Sequence, residues 1–244
     1  MEKIRREDEK NLKIFRGVFD RRTLLVLYDM LNRKILKEII GVVKEGKESV
    51  VLYGIGSEER DVAIKIYRTD ACDFKTMWRY LVGDPRFTRV RKNRRFIVNL
   101  WCQREFKNLK IAYNAGVKCP RPLAFKENIL IMEFLGDNGV PAPRLIDVKL
   151  RNPEKTYKQI LEDMEKLTKA GLVHGDLSAY NILFLDKPYM IDLSHSISVN
   201  SAIAIDLLTR DIENINSHFS KLGIHVKSFN SIYEKLKNII EKSR

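Results

Sequence analysis

The apolar positions of the chain change period several times, and each change marks an element. Leu24, Leu27, Leu31 and Ile35 recur at helical spacing after Asp20, a residue type that caps helix N-termini, and Gly41 closes the pattern. Between residues 42 and 67 the pattern becomes that of strands. Val42-Val43, Ser49-Val50-Val51-Leu52-Tyr53 and Val62-Ala63-Ile64-Lys65-Ile66-Tyr67 are rich in β-branched and aromatic residues, with turn signals at Glu45-Gly46 and Gly54-Ile55-Gly56-Ser57. This predicts a three-stranded antiparallel meander. Residues 68–98 keep no clean period and read as a flexible insert. From Leu100 to Ala115 helical spacing returns through Trp101, Phe106, Leu109 and Tyr113, and Gly116 stops it.

The remainder begins with a buried strand, Ile129 to Leu135. A linker signalled by Gly136, Gly139, Pro141 and Pro143 follows. Ile160, Leu161, Met164 and Leu167 line one face of a helix ending at Gly171. Short strands at 182–184 and 189–191 flank a turn at Asp186-Lys187-Pro188, and helices fit 200–218 and 228–241. For the charged residues 1–19 a helix or a frayed arm is expected. A strand-rich half followed by a helical half predicts an α+β chain in three parts. They are an N-terminal helical extension (1–41), a sheet lobe (42–135) with the insert near 69–98, and a mainly helical lobe (136–244).

Composition narrows the class. The chain has 244 residues, 44% of them apolar, enough for a sizeable core. No apolar run is long enough to span a bilayer, and the charged N-terminus lacks a signal core, so a cytoplasmic location is expected. Cys72, Cys102 and Cys119 are isolated in sequence and read as reduced thiols. The net charge of +13, with Arg86, Arg89, Arg91, Lys92, Arg94 and Arg95 crowded into the insert, favours an anionic partner such as nucleic acid. A solvated Lys-rich surface explains the same charge equally well.

Candidate chemistry is concentrated in Leu172-Val173-His174-Gly175-Asp176-Leu177-Ser178-Ala179-Tyr180-Asn181-Ile182-Leu183. Asp176 precedes Asn181 by five residues, the D-x-x-x-x-N spacing of a phosphotransferase catalytic loop. Asp192 follows eleven residues after Asn181, leaving an apolar strand, and the intervening hairpin can bring Asn181 and Asp192 to one metal ion. Phosphoryl transfer needs little more than these parts: a cation-held triphosphate, Mg²⁺ on hard oxygens, and a carboxylate that orients the attacking oxygen. Asp and Asn in loops commonly just make turns, but the His-Gly before them and the strand-borne Asp192 argue for chemistry. Lys65 stands in a V-A-I-K strand pattern, and Glu105 is the best candidate for its partner. The loop Gly46-Lys47-Glu48-Ser49 is neither G-x-G-x-x-G nor a Walker A loop, yet it offers backbone N–H groups, a cation and a hydroxyl to phosphates.

These residues resemble the RIO family of atypical serine/threonine kinases over nearly the whole chain after residue 18. Gly46-Lys47-Glu48 resembles the family's phosphate loop, with Lys44, Glu45, Ser49 and Val50 standing where Ser, Thr, Ala and Asn are usual. Trp101 to Pro120 resembles its lysine-pairing helix. His174-Gly175-Asp176-Leu177-Ser178, Tyr180-Asn181-Ile182-Leu183 and Ile191-Asp192-Leu193-Ser194 resemble its catalytic and metal loops, and Leu207-Leu208-Thr209-Arg210-Asp211 with Asn214 its later helix. Val18 to Thr23, Gly83-Asp84-Pro85-Arg86-Phe87 and Val140 to Leu145 are similar to the first RIO subfamily, in a compact archaeal-type form.

The resemblance implies a protein-kinase-like two-lobed fold with extra N-terminal helices. No room is left after Asp192 for an activation segment. It implies ATP with Mg²⁺, or Mn²⁺ in its place. Asp176 would be the catalytic base or orienting carboxylate, and Asn181 and Asp192 would hold the metal. Asp192 would also be a transient phospho-acceptor. Lys65, paired with Glu105, would contact phosphates beside Gly46, Lys47, Glu48 and Ser49. Met132 would be the gatekeeper, and backbone groups of Glu133 and Leu135 would bind adenine. The expected activity is a serine/threonine kinase and ATPase working on small-ribosomal-subunit precursors and their rRNA, as a monomer or weak dimer and away from membranes. Two other readings share the motifs: a small-molecule kinase of the aminoglycoside or choline type, and an ATP-gated assembly factor without turnover.

Overall fold

A computed structural model describes residues 18–87 and 90–242. The expectation for 1–19 therefore falls almost wholly outside the described residues, as does Arg89 of the insert. By contact density the chain separates into two compact units. One comprises the residues up to Met77 with Arg91–Phe106 and Pro122–Pro141. The other comprises Trp78–Val90, Lys107–Arg121 and Ala142 onward.

The first unit is built on a five-stranded antiparallel sheet in the order β1-β2-β3-β5-β4. Its strands are β1 (Leu36–Glu45), β2 (Ser49–Gly56), β3 (Asp61–Tyr67), β4 (Pro122–Lys126) and β5 (Ile129–Glu133). Helix α1 (Arg21–Asn32) precedes them, with the Asp20 carboxylate accepting from the backbone N–H of Arg22 and Thr23. The helix stops earlier than its apolar spacing predicts. Lys34 turns the chain with φ 57°, and Leu36 and Ile39 then enter the core from a strand. The meander accordingly starts at Leu36 rather than Val42.

Pairing fixes which residues share a face, because directly opposed residues of an antiparallel sheet point the same way. Val50, Leu52, Ile64, Ile66, Ile129 and Ile131 pack with Val26, Leu27 and Met30 of α1. The register Val51↔Lys65, Ser49↔Tyr67 and Ala63↔Met132 places Ser49, Lys65, Tyr67 and Met132 together on the opposite face. Asn128 ties helix to sheet by donating to Thr23 Oγ1 (3.0 Å) and to the Tyr67 carbonyl (2.8 Å).

The insert holds more structure than its irregular pattern predicts. It contains helix α2 (Phe74–Val82), and helix α3 (Arg94–Asn114) begins six residues before Leu100. Several of its cations serve local contacts. Arg86 binds Asp84, Arg94 donates to the Asp70 carbonyl, and Arg95 pairs with Asp20. Arg91 and Lys92 are exposed, as are Lys75, Arg79 and Arg94 of the same insert.

The second unit is mainly helical: α4 (Pro153–Lys169), α5 (Ala204–Lys221) and α6 (Phe229–Lys242). Asn152 caps α4 by accepting from Lys155 N–H. The apolar faces that join them include Ile160, Met164 and Leu167 of α4, Leu208, Ile212, Ile215 and Phe219 of α5, and Ile232, Leu236 and Ile240 of α6. At the end of the first unit, between Gly136 and Pro141, the expected linker forms a short hairpin, β6 (Gly136–Asp137) with β7 (Val140–Pro141). Short ladders carry the loops of interest: β8 (Leu172–Val173) pairs with β11 (Ile197–Ser198), and β9 (Ile182–Phe184) with β10 (Pro188–Met190). No helix among the described residues is long and apolar enough to cross a membrane. The three cysteines are buried and form no disulfide.

Candidate functional site

In the helical unit the β9–β10 hairpin does the positioning. Its register pairs Ile182 with Met190, and the next pair outward is closed by Ile191 N–H donating to the Asn181 carbonyl at 2.9 Å. Asn181 and Asp192 therefore leave the same open end of one hairpin. The Asn181 side-chain amide donates to Asp176 twice, to the carbonyl at 2.8 Å and to the carboxylate at 2.9 Å. These bonds fix the amide's orientation and leave Oδ1 as an acceptor. Asp192 has left-handed backbone angles (φ 62°, ψ 55°), uncommon for a residue with a Cβ, and its carboxylate accepts from Ser194 Oγ at 2.8 Å.

The loop before Asp176 is held from beneath. Asp211 of α5, buried at 1% exposure, accepts from the backbone N–H of Gly175 (2.8 Å) and of Leu177 (2.7 Å). Asn214, less than one turn further along α5, donates to the Leu177 carbonyl at 3.1 Å. Burial raises the Asp211 pKa to about 7, against the two N–H donors that favour its anion. Gly175 has φ 81°, and a Cβ there would lie 2.9 Å from the His195 carbonyl, so only glycine fits. His174 is buried, and its Nε2–H donates to the Ile191 carbonyl at 3.2 Å. Burial lowers its pKa to about 4, so the imidazole is neutral and acts as a strut between the two loops.

In the sheet unit Lys65 Nζ lies 2.8 Å from Glu105 Oε1, and both side chains are buried. Glu105 is thus no surface glutamate. Its second oxygen accepts from the Tyr67 hydroxyl, and the Lys65 ammonium stands 5.0 Å from the centre of the Tyr67 ring. Lys65 and Tyr67 reach the same partner because they are two residues apart on one face of β3. Met132 lies two ladder positions from Lys65 on that face, while Glu133 and Leu135 sit at and beyond the end of β5. The phosphate-loop candidates are more committed than the sequence suggests. Gly46 N–H closes the β1–β2 turn onto the Ser49 carbonyl (2.9 Å), and the Glu48 carboxylate accepts from Asp73 N–H (3.2 Å). Lys47 stands near enough to Asp73 to help hold that carboxyl below its ordinary range, after the stronger effect of its bonds to Thr76.

No three His, Cys, Asp or Glu side chains gather as a metal cage among the described residues. The hairpin mouth offers instead an amide oxygen and a carboxylate beside the Asp176 carboxylate. Such sparse hard-oxygen sets suit Mg²⁺, which keeps waters and phosphate oxygens in its shell. Three positioning residues, Asp211, Asn214 and Asn108, carry no chemistry that the motifs reveal. Asn108 donates to the carbonyls of Leu193 (2.8 Å) and Ser196 (2.9 Å).

Residues 50–232 match the RIO domain family. The chain is 37% identical to the RIO-type serine/threonine-protein kinase Rio1 of Haloferax volcanii, over 95% of this chain and 80% of that one. It is 44% identical to Rio1 of Methanocaldococcus jannaschii, over 87% of this chain and 73% of that one. Among solved structures it is similar to the Rio2 kinase–ADP/Mg²⁺–phosphoaspartate complex of Chaetomium thermophilum, with a TM-score of 0.69 and 20% identity over 91% of this chain and 70% of that one. That likeness establishes the class of fold: kinase-like and two-lobed, with an antiparallel sheet in one lobe and helices in the other. The chain belongs to the RIO family and is a serine/threonine kinase of the Rio1 type.

Proposed function

We propose that the kinase takes ATP with Mg²⁺ and transfers or hydrolyses its γ-phosphoryl group, with Asp176 as the orienting carboxylate. The observation that carries this reading is the Asn181 amide fixed on the Asp176 carboxylate at 2.9 Å, at the hairpin end from which Asp192 also emerges. Asn181 Oδ1 and the Asp192 carboxylate would hold the metal, which supplies charge neutralisation on the phosphate oxygens when bound. Asp176 accepts the proton of an attacking hydroxyl or water, aligned by the Asn181 bond. Lys65, fixed by Glu105 and Tyr67, contributes a phosphate-binding cation. Met132 and the backbone at Glu133 and Leu135 serve the adenine. As functional parts we propose an extension 1–41, a sheet lobe 42–135 and a helical lobe 136–244, although β1 already begins at Leu36 and Trp78–Val90 and Lys107–Arg121 group with the helical unit.

The Rio2 neighbour is a phosphoaspartate complex. By the same chemistry Asp192 is the residue here to accept a phosphoryl group: its carboxylate oxygen bonds to Pγ as the bond from Pγ to the ADP oxygen breaks, and water then hydrolyses the acyl phosphate. This makes ATP hydrolysis an activity in its own right.

The partner we propose is the small ribosomal subunit precursor, through its rRNA. The net charge of +13 and the exposed Arg91 and Lys92 support it, since phosphate neutralisation by Lys and Arg favours binding. Incubation of the purified kinase with small-subunit precursor and [γ-³²P]ATP tests both parts. Salt-sensitive association together with Mg²⁺-dependent release or transfer of label is expected. Association that is absent, or insensitive to salt, would remove the ribosomal reading, and fast turnover with an amino alcohol or sugar would favour a small-molecule kinase.

A further inference from the structure

The segment Gly83–Phe87 and Asn108 form a chain of hydrogen bonds that ends on the loop carrying Asp192. Asp84 is fully buried and accepts from Arg86 through Nε (2.9 Å) and Nη2 (2.6 Å). Arg86 Nη1 donates to Asn108 Oδ1 at 2.8 Å. Asn108, also fully buried, then donates through Nδ2 to the carbonyls of Leu193 and Ser196 at 2.8 and 2.9 Å. Those two carbonyls bracket the turn Leu193–His195, whose Ser194 hydroxyl holds the Asp192 carboxylate. Tyr80 packs its ring edge-on against His195 of the same turn, centroids 5.4 Å apart.

The arrangement is directional. A buried amide can present either its oxygen or its NH₂ to a pair of carbonyls, and only the NH₂ is attractive. The Arg86 guanidinium has donors alone, so it selects the orientation in which Oδ1 faces it and Nδ2 faces the loop. Asp84 in turn fixes the guanidinium by a two-toothed contact. Asp192 needs such support because its left-handed backbone persists only where surrounding contacts over-determine it.

We propose that Asn108 and Arg86 are positioning residues for the metal loop: the Asp84–Arg86–Asn108 chain sets the backbone turn that aims Asp192 and thereby sets metal affinity. This rests on the assignment of Asp192 as a metal ligand. It gives Gly83-Asp84-Pro85-Arg86-Phe87 a task in the site that its sequence position does not suggest.

The test is Mg²⁺ titration of fluorescent mant-ADP binding to wild type, Asn108→Leu and Arg86→Gln, with each protein's thermal transition recorded. Outer contacts of this kind alter metal affinity by about 10–100-fold. The Mg²⁺ half-saturation should rise by about tenfold or more in Asn108→Leu, and in the same direction by less in Arg86→Gln, while nucleotide binding without Mg²⁺ stays as in wild type. Variants that are folded yet half-saturate at the wild-type Mg²⁺ concentration would overturn the proposal and leave the metal assignment standing. A wild-type protein whose nucleotide binding ignores Mg²⁺ would overturn the assignment and the proposal with it. If Asn108→Leu does not fold, Arg86→Gln decides by the same criterion.

Discussion

Asn181 donates its side-chain amide to the Asp176 carboxylate at 2.9 Å, so one side chain both orients the proposed catalytic carboxylate and presents its own oxygen at the hairpin mouth. An alanine at 181 removes both contributions. Asn181→Ala should raise the Mg²⁺ concentration needed for half-maximal activity by about 10–100-fold and lower kcat. A magnesium titration of ATP turnover shows this. An unchanged magnesium requirement would place Asn181 outside the metal shell.

The Lys65–Glu105 pair is buried, and removing one partner strands the other's charge. Glu105→Leu and Lys65→Met alone should each cost about 3–5 kcal/mol of stability, whereas the double variant should cost much less than their sum. Urea denaturation of the four proteins completes the cycle. Additive losses would mean that the two charges are solvated independently.

His174 and Asp211 pull the acid stability in opposite directions. The folded pKa of His174 is about 4 against 6.5 for a free imidazole, so below pH 6.5 the unfolded chain binds the extra proton and stability falls as pH falls toward 4. Asp211 is about 7 folded against 3.8, so the folded chain binds the extra proton and stability rises as pH falls from 7 to 3.8. Each effect is worth roughly 1.4 kcal/mol per pH unit inside its window. Between pH 4 and 6.5, His174→Asn should therefore lose less stability on acidification than wild type, and Asp211→Asn should lose more. Urea midpoints measured across that range check the ordering. Parallel curves for all three would show that neither group is shifted.

Removing the Asp211 side chain has a separate consequence. Asp211→Ala leaves the N–H groups of Gly175 and Leu177 without their acceptor, at about 1–3 kcal/mol for each buried donor. Hydrogen exchange should speed up locally at Gly175 and Leu177 while the N–H groups of α6 remain protected. Uniformly faster exchange would indicate global unfolding instead.

What the sequence made legible was local. Asp176 to Asn181 and the V-A-I-K strand are short spacings whose geometry follows from one loop and one strand, and the β9–β10 pairing was readable from its turn. The long-range supports were not. Asp211 acts on residues 34 and 36 positions earlier, and Asn108 on residues 85 and 88 positions later. A signal for Asp211 existed: it stands among Leu207, Leu208, Ile212 and Ile215, a carboxylate on the apolar face of α5. Helix α3 gave no such contrast, because Trp101, Cys102, Arg104, Glu105 and Asn108 are all buried and blur its amphipathic pattern. The insert misled in the other direction. Its arginines read as free charge, yet Arg86, Arg94 and Arg95 bind within the fold.

Asp176 is assigned to orient the hydroxyl or water that receives the phosphoryl group, from ATP or from the Asp192 acyl phosphate. Single-turnover ATP hydrolysis by wild type and Asp176→Ala, with nucleotide affinity measured in parallel, tests it most directly. A rate loss of about 10²–10⁴-fold is expected, typical of a lost general base, with nucleotide affinity largely retained because the carboxylate acts in the transition state. Equal single-turnover rates in the two proteins would contradict it.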